Sequence, residues 1–412
     1  MTSIANPVHF PQDSQSDIDS ALLEAQAQLM KVAVRPQRIM VRGSGSYLWD
    51  HEGRRYLDFV QGWAVNALGH APPELATALY VQAQTLLTPS PAFHNAPQLS
   101  FARELTRAAG LSEVHFTNSG AEANEAALKL ARKWGRLNRG GAYQVITALG
   151  SFHGRTLALM AASGKPGWDA LFPPVMPGFV KVPYGDVAAV AAQIMPETVA
   201  VMVEPIQGEA GVVVPPEGYL RELRRLCDQR GVLLMCDEVQ TGIGRTGTLF
   251  AFERDDVKPD ILTLGKGLGG GVPIAAVLAN PRASCFVPGD QGGTYNGNPL
   301  MVAVARSVFG IVSQADFLST VRARARYLQE RLAPLCAAHG FELRGRGLLW
   351  ALVLPEPIAE AVVARCFAEG LLLNAPRPNL LRLMPSLRVS ESEIDEFVRL
   401  LSSALERDYP KG

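Results

Sequence analysis

An α/β fold, a mainly parallel sheet flanked by helices with a smaller α+β layer beside it, is predicted by three features of the chain. Apolar runs alternate with helix-forming stretches from about residue 75 to 310. Several of these runs are apolar almost without interruption, as sheet buried on both faces requires. From residue 315 the pattern changes to charged helices and short strands.

Residues 1 to about 34 are polar and then helical, and read as an arm. Residues 43 to 60 read as two short strands joined by a Glu-Gly turn. Candidate strands follow at Val114 to Asn118, Gln144 to Ala148, Val199 to Glu204, Val232 to Asp237, Ile261 to Leu264 and Ile274 to Ala279. Helices such as Ala121 to Leu137 and Gly218 to Arg230 lie between them. A charged helix, Thr320 to His339, leads to FELRGRGLLWALVL, a helix near 357 to 369, short strands LLLNA and LLRLM, and a closing helix from Glu391. The expected division is an N-terminal arm with a small-domain segment (1–74), a large domain (75–310) and a C-terminal small domain (311–412).

With 412 residues the chain can bury roughly three quarters of its unfolded surface and enclose a site. Lys plus Arg and Asp plus Glu both number 39, so no global field draws nucleic acid or an anionic membrane, and neither is expected as a partner. Five cysteines without C-x-x-C spacing read as reduced thiols, and seven scattered histidines give no metal-ligand spacing. The segment MTSIANPVHFPQDSQSD lacks the order of a signal peptide, so a cytoplasmic protein is expected.

GKGLGGG, residues 265 to 271, sets one lysine among glycines after an apolar run. Gly265-x-Gly267-x-x-Gly270 matches the dinucleotide fingerprint by spacing, but Gly271 and Pro273 interrupt the helix that the fingerprint needs. A P-loop fails because Asp260 and Gly267 stand where Gly and Ser or Thr belong. What remains is Lys266 as an amine nucleophile toward a carbonyl, or a lysine in a surface turn. Asp237, ending the most apolar strand, is costly to bury without a cation or strong donor; a protonated pyridine nitrogen supplies one, and capping of the next turn is the structural alternative. In FTNSGAEANEAALKLARK a strand gives way at Ser119 and Gly120 to a helix whose free N–H groups can hold phosphate. Amine, carboxylate and phosphate cradle together describe a pyridoxal 5'-phosphate site.

Over residues 35 to 405 the chain resembles the class III, ornithine-type aminotransferases, through YLDFVQGWAVNALGH, TNSGAEANEAALKLAR, SFHGRT, VEPIQGEAGV, CDEVQTGIGRTG, TLGKGLGGGVP, GGTYNGNP and RLMPSL. The resemblance implies the type I fold of pyridoxal-phosphate-dependent transferases, with a seven-stranded sheet. It implies Lys266 as the imine-forming lysine and Asp237 as partner of the ring nitrogen, both catalytic. Ser119, Gly120 and Ala121 would hold the phosphate. Phe152 and Val239 would flank the ring, and Gln240 would meet its hydroxyl. Thr294 would reach the phosphate of a neighbouring subunit's cofactor, making a homodimer with sites at the interface.

For substrate, the resemblance implies that Arg155 holds a carboxylate and that Arg382 is a second arginine, paired with Glu209 when no substrate carboxylate is present. Gly293, where the family commonly has Ser, and Trp63, where relatives are often smaller or carry Tyr, bear on substrate choice. The implied reaction passes the amine of N2-acetyl-L-ornithine to 2-oxoglutarate; ornithine, succinyl-diaminopimelate and 4-aminobutyrate are the alternative donors. Mutases and racemases of the same fold, or a nicotinamide oxidoreductase built on Gly265 to Gly270, are the other classes. His153 reads as a packing or hydrogen-bonding residue, Glu204 as a brace and Arg245 as part of a structural loop.

Overall fold

The computed structural model describes residues 22–406 and 408. The start of the expected arm, residues 1 to 21, lies outside them; a 3-10 turn at Ala25–Gln28 belongs to its remainder. A first sheet begins with β1 (Met40–Ser44), β2 (Tyr47–Asp50) and β3 (Arg55–Asp58), an antiparallel meander. Two strands are expected here from the sequence; the third, β1, is a mostly exposed edge without an apolar face to mark it.

The large sheet holds β4 (Glu113–Thr117), β5 (Gln144–Ala148), β6 (Phe179–Val182), β7 (Thr198–Val203), β8 (Leu233–Asp237), β9 (Ile261–Leu264) and β10 (Ala275–Ala279), in the order β4-β10-β9-β8-β7-β5-β6. Only β10 runs against its neighbours; the pairs among β5 to β9 are parallel. Central strands β7 and β8 are buried along their whole length, which accounts for their unbroken apolar runs. Strand β6, absent from the sequence reading, is a partly exposed edge strand interrupted by Lys181.

The C-terminal part contributes β11 (Glu342–Arg346), β12 (Leu349–Val353), β13 (Leu371–Leu372), β14 (Asn374–Arg377) and β15 (Leu380–Leu383). LLLNA is thus divided: β13 pairs in parallel with β3 of the first sheet, while β14 closes the antiparallel sheet β11-β12-β15-β14. Helices Ala315–His339, Ala359–Glu369 and Glu391–Leu405 pack against these strands and one another. No single helix among the described residues is long and apolar enough to cross a membrane.

Because β4 and β9 both run against β10, their carboxyl ends leave the sheet on the same edge as those of β5, β7 and β8. That edge of a parallel sheet, where loops are free to converge, is where a ligand site forms.

Candidate active site

Five chain segments leaving this edge enclose a cavity of about 300 Å³. From β9 the chain passes through Gly265 into a single 3-10 turn, Lys266–Leu268, and returns as β10 with no α-helix in between. The dinucleotide alternative therefore lacks the helix that it requires. Lys266 adopts φ 44°, a left-handed conformation unfavourable for a residue with a Cβ, and its amine enters the cavity wall. Burial pulls its pKa down, opposed by the charge of Glu209 and supported by that of Arg382. An amine so placed is more readily neutral than a free lysine.

Asp237 ends β8 and is buried against three donors. Asn124 Nδ2 and His153 Nδ1 each approach Oδ2 at 2.8 Å, and the Val239 N–H reaches Oδ1 at 3.1 Å. Thr263 Oγ1 donates to Asn124 Oδ1 at 2.6 Å and fixes that amide. The carboxylate is thus satisfied from behind while still lining the cavity. Asn124 and Thr263 were not singled out in the sequence; a buried asparagine among alanines and a threonine inside ILTL were the available signals. His153 has the hydrogen-bonding role expected of it, and its Nε2 is buried without a partner among the described residues.

Helix Gly120–Asn138 begins with a capping box: the Glu122 N–H donates to Ser119 Oγ, while Glu122 Oε2 accepts the Asn118 and Ser119 N–H groups at 2.6 and 2.9 Å. That leaves the first-turn N–H groups of Gly120 and Ala121 without helical acceptors, in the cavity wall. A Cβ on Gly120 would lie 2.7 Å from Val239 Cγ1, so glycine is needed for the helix to begin here.

Phe152, Val239 and Gln240 also line the cavity, and both amide atoms of Gln240 are buried without partners among the described residues. The Phe152 N–H donates to Glu204 Oε2 at 3.1 Å. Burial, then the charge of Asp237, pushes the Glu204 carboxyl well above its ordinary range. Arg155 is exposed at the mouth, its guanidinium 5.9 Å from the Phe152 ring and 5.4 Å from that of Trp168, with no ion pair among the described residues. Behind Glu209, outside the wall itself, Arg382 is fully buried and donates to Glu209 Oε1 at 2.6 Å, the Gly208 carbonyl at 3.0 Å and Asn374 Oδ1 at 2.6 Å. Arg245 stays apart, donating to the Leu348 and Pro385 carbonyls, with burial lowering its pKa to about 9.

Other expected residues are not in this wall. Ser119 stands just outside it, engaged in the capping box. Gly293 and Thr294 occupy an exposed loop. Trp63 is 53% exposed, on a left-handed turn formed by Gln61, Gly62, Trp63 and Ala64.

The residues fit a phosphorylated pyridine aldehyde: free helix-start N–H groups for phosphate, a backed carboxylate for a ring nitrogen, an unpartnered amide for a ring hydroxyl and a lysine for the aldehyde. A profile of the family "Aminotransferase class-III" matches residues 29–405. Acetylornithine aminotransferase 2 of Bordetella bronchiseptica is 54% identical over 92% of this chain and 96% of its own. The acetylornithine aminotransferase of Ralstonia nicotianae is 50% identical over the same shares, 92% and 96%. Among solved structures, N-acetylornithine aminotransferase from Stenotrophomonas maltophilia superposes with a TM-score of 0.81 at 36% identity, covering 94% of this chain and 99% of that one. Ornithine aminotransferase from Toxoplasma gondii gives 0.88 at 33%, covering 95% and 96%.

Proposed function

The chain belongs to the class-III aminotransferases, and from that premise we propose that it converts N2-acetyl-L-ornithine and 2-oxoglutarate to N-acetyl-L-glutamate 5-semialdehyde and L-glutamate, a step of arginine biosynthesis in the cytoplasm. The observation that carries the substrate is the mouth of the cavity. Arg155 and Lys165 both stand over the Trp168 ring, at 5.4 and 5.2 Å, so two cations await the donor's far end. A single carboxylate suits them. The α-ammonium of free ornithine would be repelled beside them, whereas acetylation removes that charge.

Pyridoxal 5'-phosphate, when bound, supplies an aldehyde carbon that accepts the amine and a ring that absorbs the negative charge left on deprotonation. The first-turn N–H groups of Gly120 and Ala121, beside Ser119, would hold its phosphate. Asp237, kept in place by Asn124 and His153, would hold a proton on the ring nitrogen. Gln240 would satisfy its stranded amide on the ring hydroxyl, with Phe152 and Val239 on either face. Lys266 Nζ, lowered in basicity by burial, would take and release the proton of the substrate carbon. Arg382, neutralised by Glu209 while a one-carboxylate donor is bound, would receive the second carboxylate of 2-oxoglutarate when Glu209 turns away.

Thr294 would serve the site of a second copy, giving a homodimer. Its neighbour Tyr295 is 64% exposed and Phe93 68% exposed, and Asn95 Nδ2 ties the two segments together through the Gly297 carbonyl at 3.1 Å. Exposed apolar groups of this kind support a covered face. Gly293 and Trp63 would then bear on substrate choice from the rim.

The test is kcat/KM for the four candidate amines with 2-oxoglutarate as acceptor. N2-acetylornithine should lead ornithine about tenfold or more; a lead of that size for another amine overturns the substrate. An absorbance band near about 400 nm, lost in Lys266→Ala, checks the cofactor reading separately.

A further inference from the structure

A second cleft, of about 440 Å³, lies between the 3-10 turn Ala251–Asp255, helix Ala315–His339 and the β11–β12 hairpin. It shares only Ile206 with the wall of the reaction cavity. Four arginines line it, Arg254, Arg322, Arg326 and Arg346, against one acid, Asp255. None of the four makes an ion pair among the described residues; Arg322 donates to the Gly247 carbonyl at 2.9 Å. Other arginines of the same helix behave differently: Arg324 is paired with Glu391, and Arg331 with Asp395 at 2.6 Å.

Arg322 and Arg326 are four residues apart, on one face, where like charges weaken a helix rather than support it. Arg346 comes from the opposite wall, and its pKa is lowered by burial and then by the charge of Arg254, against a smaller opposing pull from Asp255 and Glu217. Four guanidinium groups around a cleft of small-molecule size call for a ligand of opposite sign, and their planar forks suit carboxylate or phosphate oxygens.

We propose that this cleft binds a small multivalent oxyanion, an oligophosphate or a polycarboxylate, held by Arg254, Arg322, Arg326 and Arg346 at a site separate from the reaction cavity. The proposal does not depend on which amine is the substrate.

The test titrates the assembled holoenzyme, its cofactor site filled, with inorganic pyrophosphate and with citrate at fixed ionic strength, by calorimetry. Saturable binding of either probe is expected, weakened about tenfold or more in Arg326→Gln/Arg346→Gln and unchanged in Arg155→Gln. Tighter binding of pyrophosphate assigns the ligand to phosphates, and of citrate to carboxylates. No saturable binding, or affinity that falls with Arg155→Gln while surviving the double variant, overturns the proposal. Arg254→Gln is a second variant, expected to weaken the same binding without touching the hairpin, and kcat/KM should stay at the parent value in it.

Discussion

Arg382 and Glu209 form a pair in which a fully buried guanidinium donates through Nη1 to the carboxylate at 2.6 Å and to the Gly208 carbonyl at 3.0 Å, while Asn374 Oδ1 accepts from its opposite edge, Nε at 3.0 Å and Nη2 at 2.6 Å. The arginine is therefore positioned independently of the acid, and Glu209 can leave without releasing it. Burial alone would raise the Glu209 carboxyl, but the charge and hydrogen bond of Arg382, with Lys266 behind, keep it below the ordinary value. A depressed carboxyl keeps its pair above the ordinary carboxyl pKa and loses it only as pH falls through the lowered one.

Glu209→Gln should accordingly separate the two half-reactions. With its counter-charge gone, Arg382 attracts a second carboxylate at all times, so the KM for 2-oxoglutarate should fall. The amine donor, which leaves that cation unneutralised, should lose about tenfold in kcat/KM. Steady-state kinetics with each substrate varied decides this; equal losses for both would show that Glu209 only supports the fold.

His153→Ala removes the Nδ1 donor from Asp237 Oδ2 and leaves Asn124 alone on that oxygen. A hydrogen bond to a buried charge is worth roughly 1.5–3 kcal/mol. The expected loss is about ten- to hundredfold in kcat, with little change in KM and weaker retention of pyridoxal phosphate. A change confined to thermal stability would make His153 a packing residue only.

The sequence made the ends of buried strands legible because the chemistry concentrates there. Asp237 stands out as the charge closing an apolar run, and Lys266 as the amine in a bare glycine turn, both readable without coordinates. Their backing was harder to see. Asn124, Thr263 and Asn374 lie far apart in the chain and act only after three segments converge, so spacing carries no trace of them. Edges were lost for a related reason: β1 and β6 are half-exposed and show no apolar run. The arginines of the second cleft look in sequence like solvated charges, and only the fold shows that they face one another.

Glu238 gives a pH dependence of folding. It is buried behind the cavity, accepts the N–H groups of Ala251 and Phe252 at 2.6 and 2.8 Å, and burial pushes its carboxyl up to about 8. The folded chain therefore keeps a proton that the unfolded chain has released between the ordinary carboxyl pKa and about 8. Stability from this group is fully present below that ordinary value and is lost as pH rises through about 8, by at most about 1.4 kcal/mol per unit. Urea midpoints at several pH values should fall more steeply in the parent than in Glu238→Gln; parallel curves would show that Glu238 is ionised in the fold.

Two glycine substitutions distinguish damage to the site from damage to the fold. At Gly208 a Cβ would sit 1.6 Å from Gln240 Oε1, so Gly208→Ala must displace an amide that lines the cavity. The obstacle is the end of a flexible side chain, which can rotate away, so stability should fall by less than about 1 kcal/mol. The loss should appear instead in cofactor affinity and in kcat/KM, about tenfold. At Gly135, inside helix Gly120–Asn138, the added Cβ would lie 1.9 Å from the Ala142 carbonyl, which is backbone and has nowhere to go. Gly135→Ala should lower stability by roughly 1–3 kcal/mol and leave the kinetics of the folded enzyme intact. If instead Gly208→Ala unfolds the chain and Gly135→Ala slows it, the cavity wall has been placed on the wrong residues.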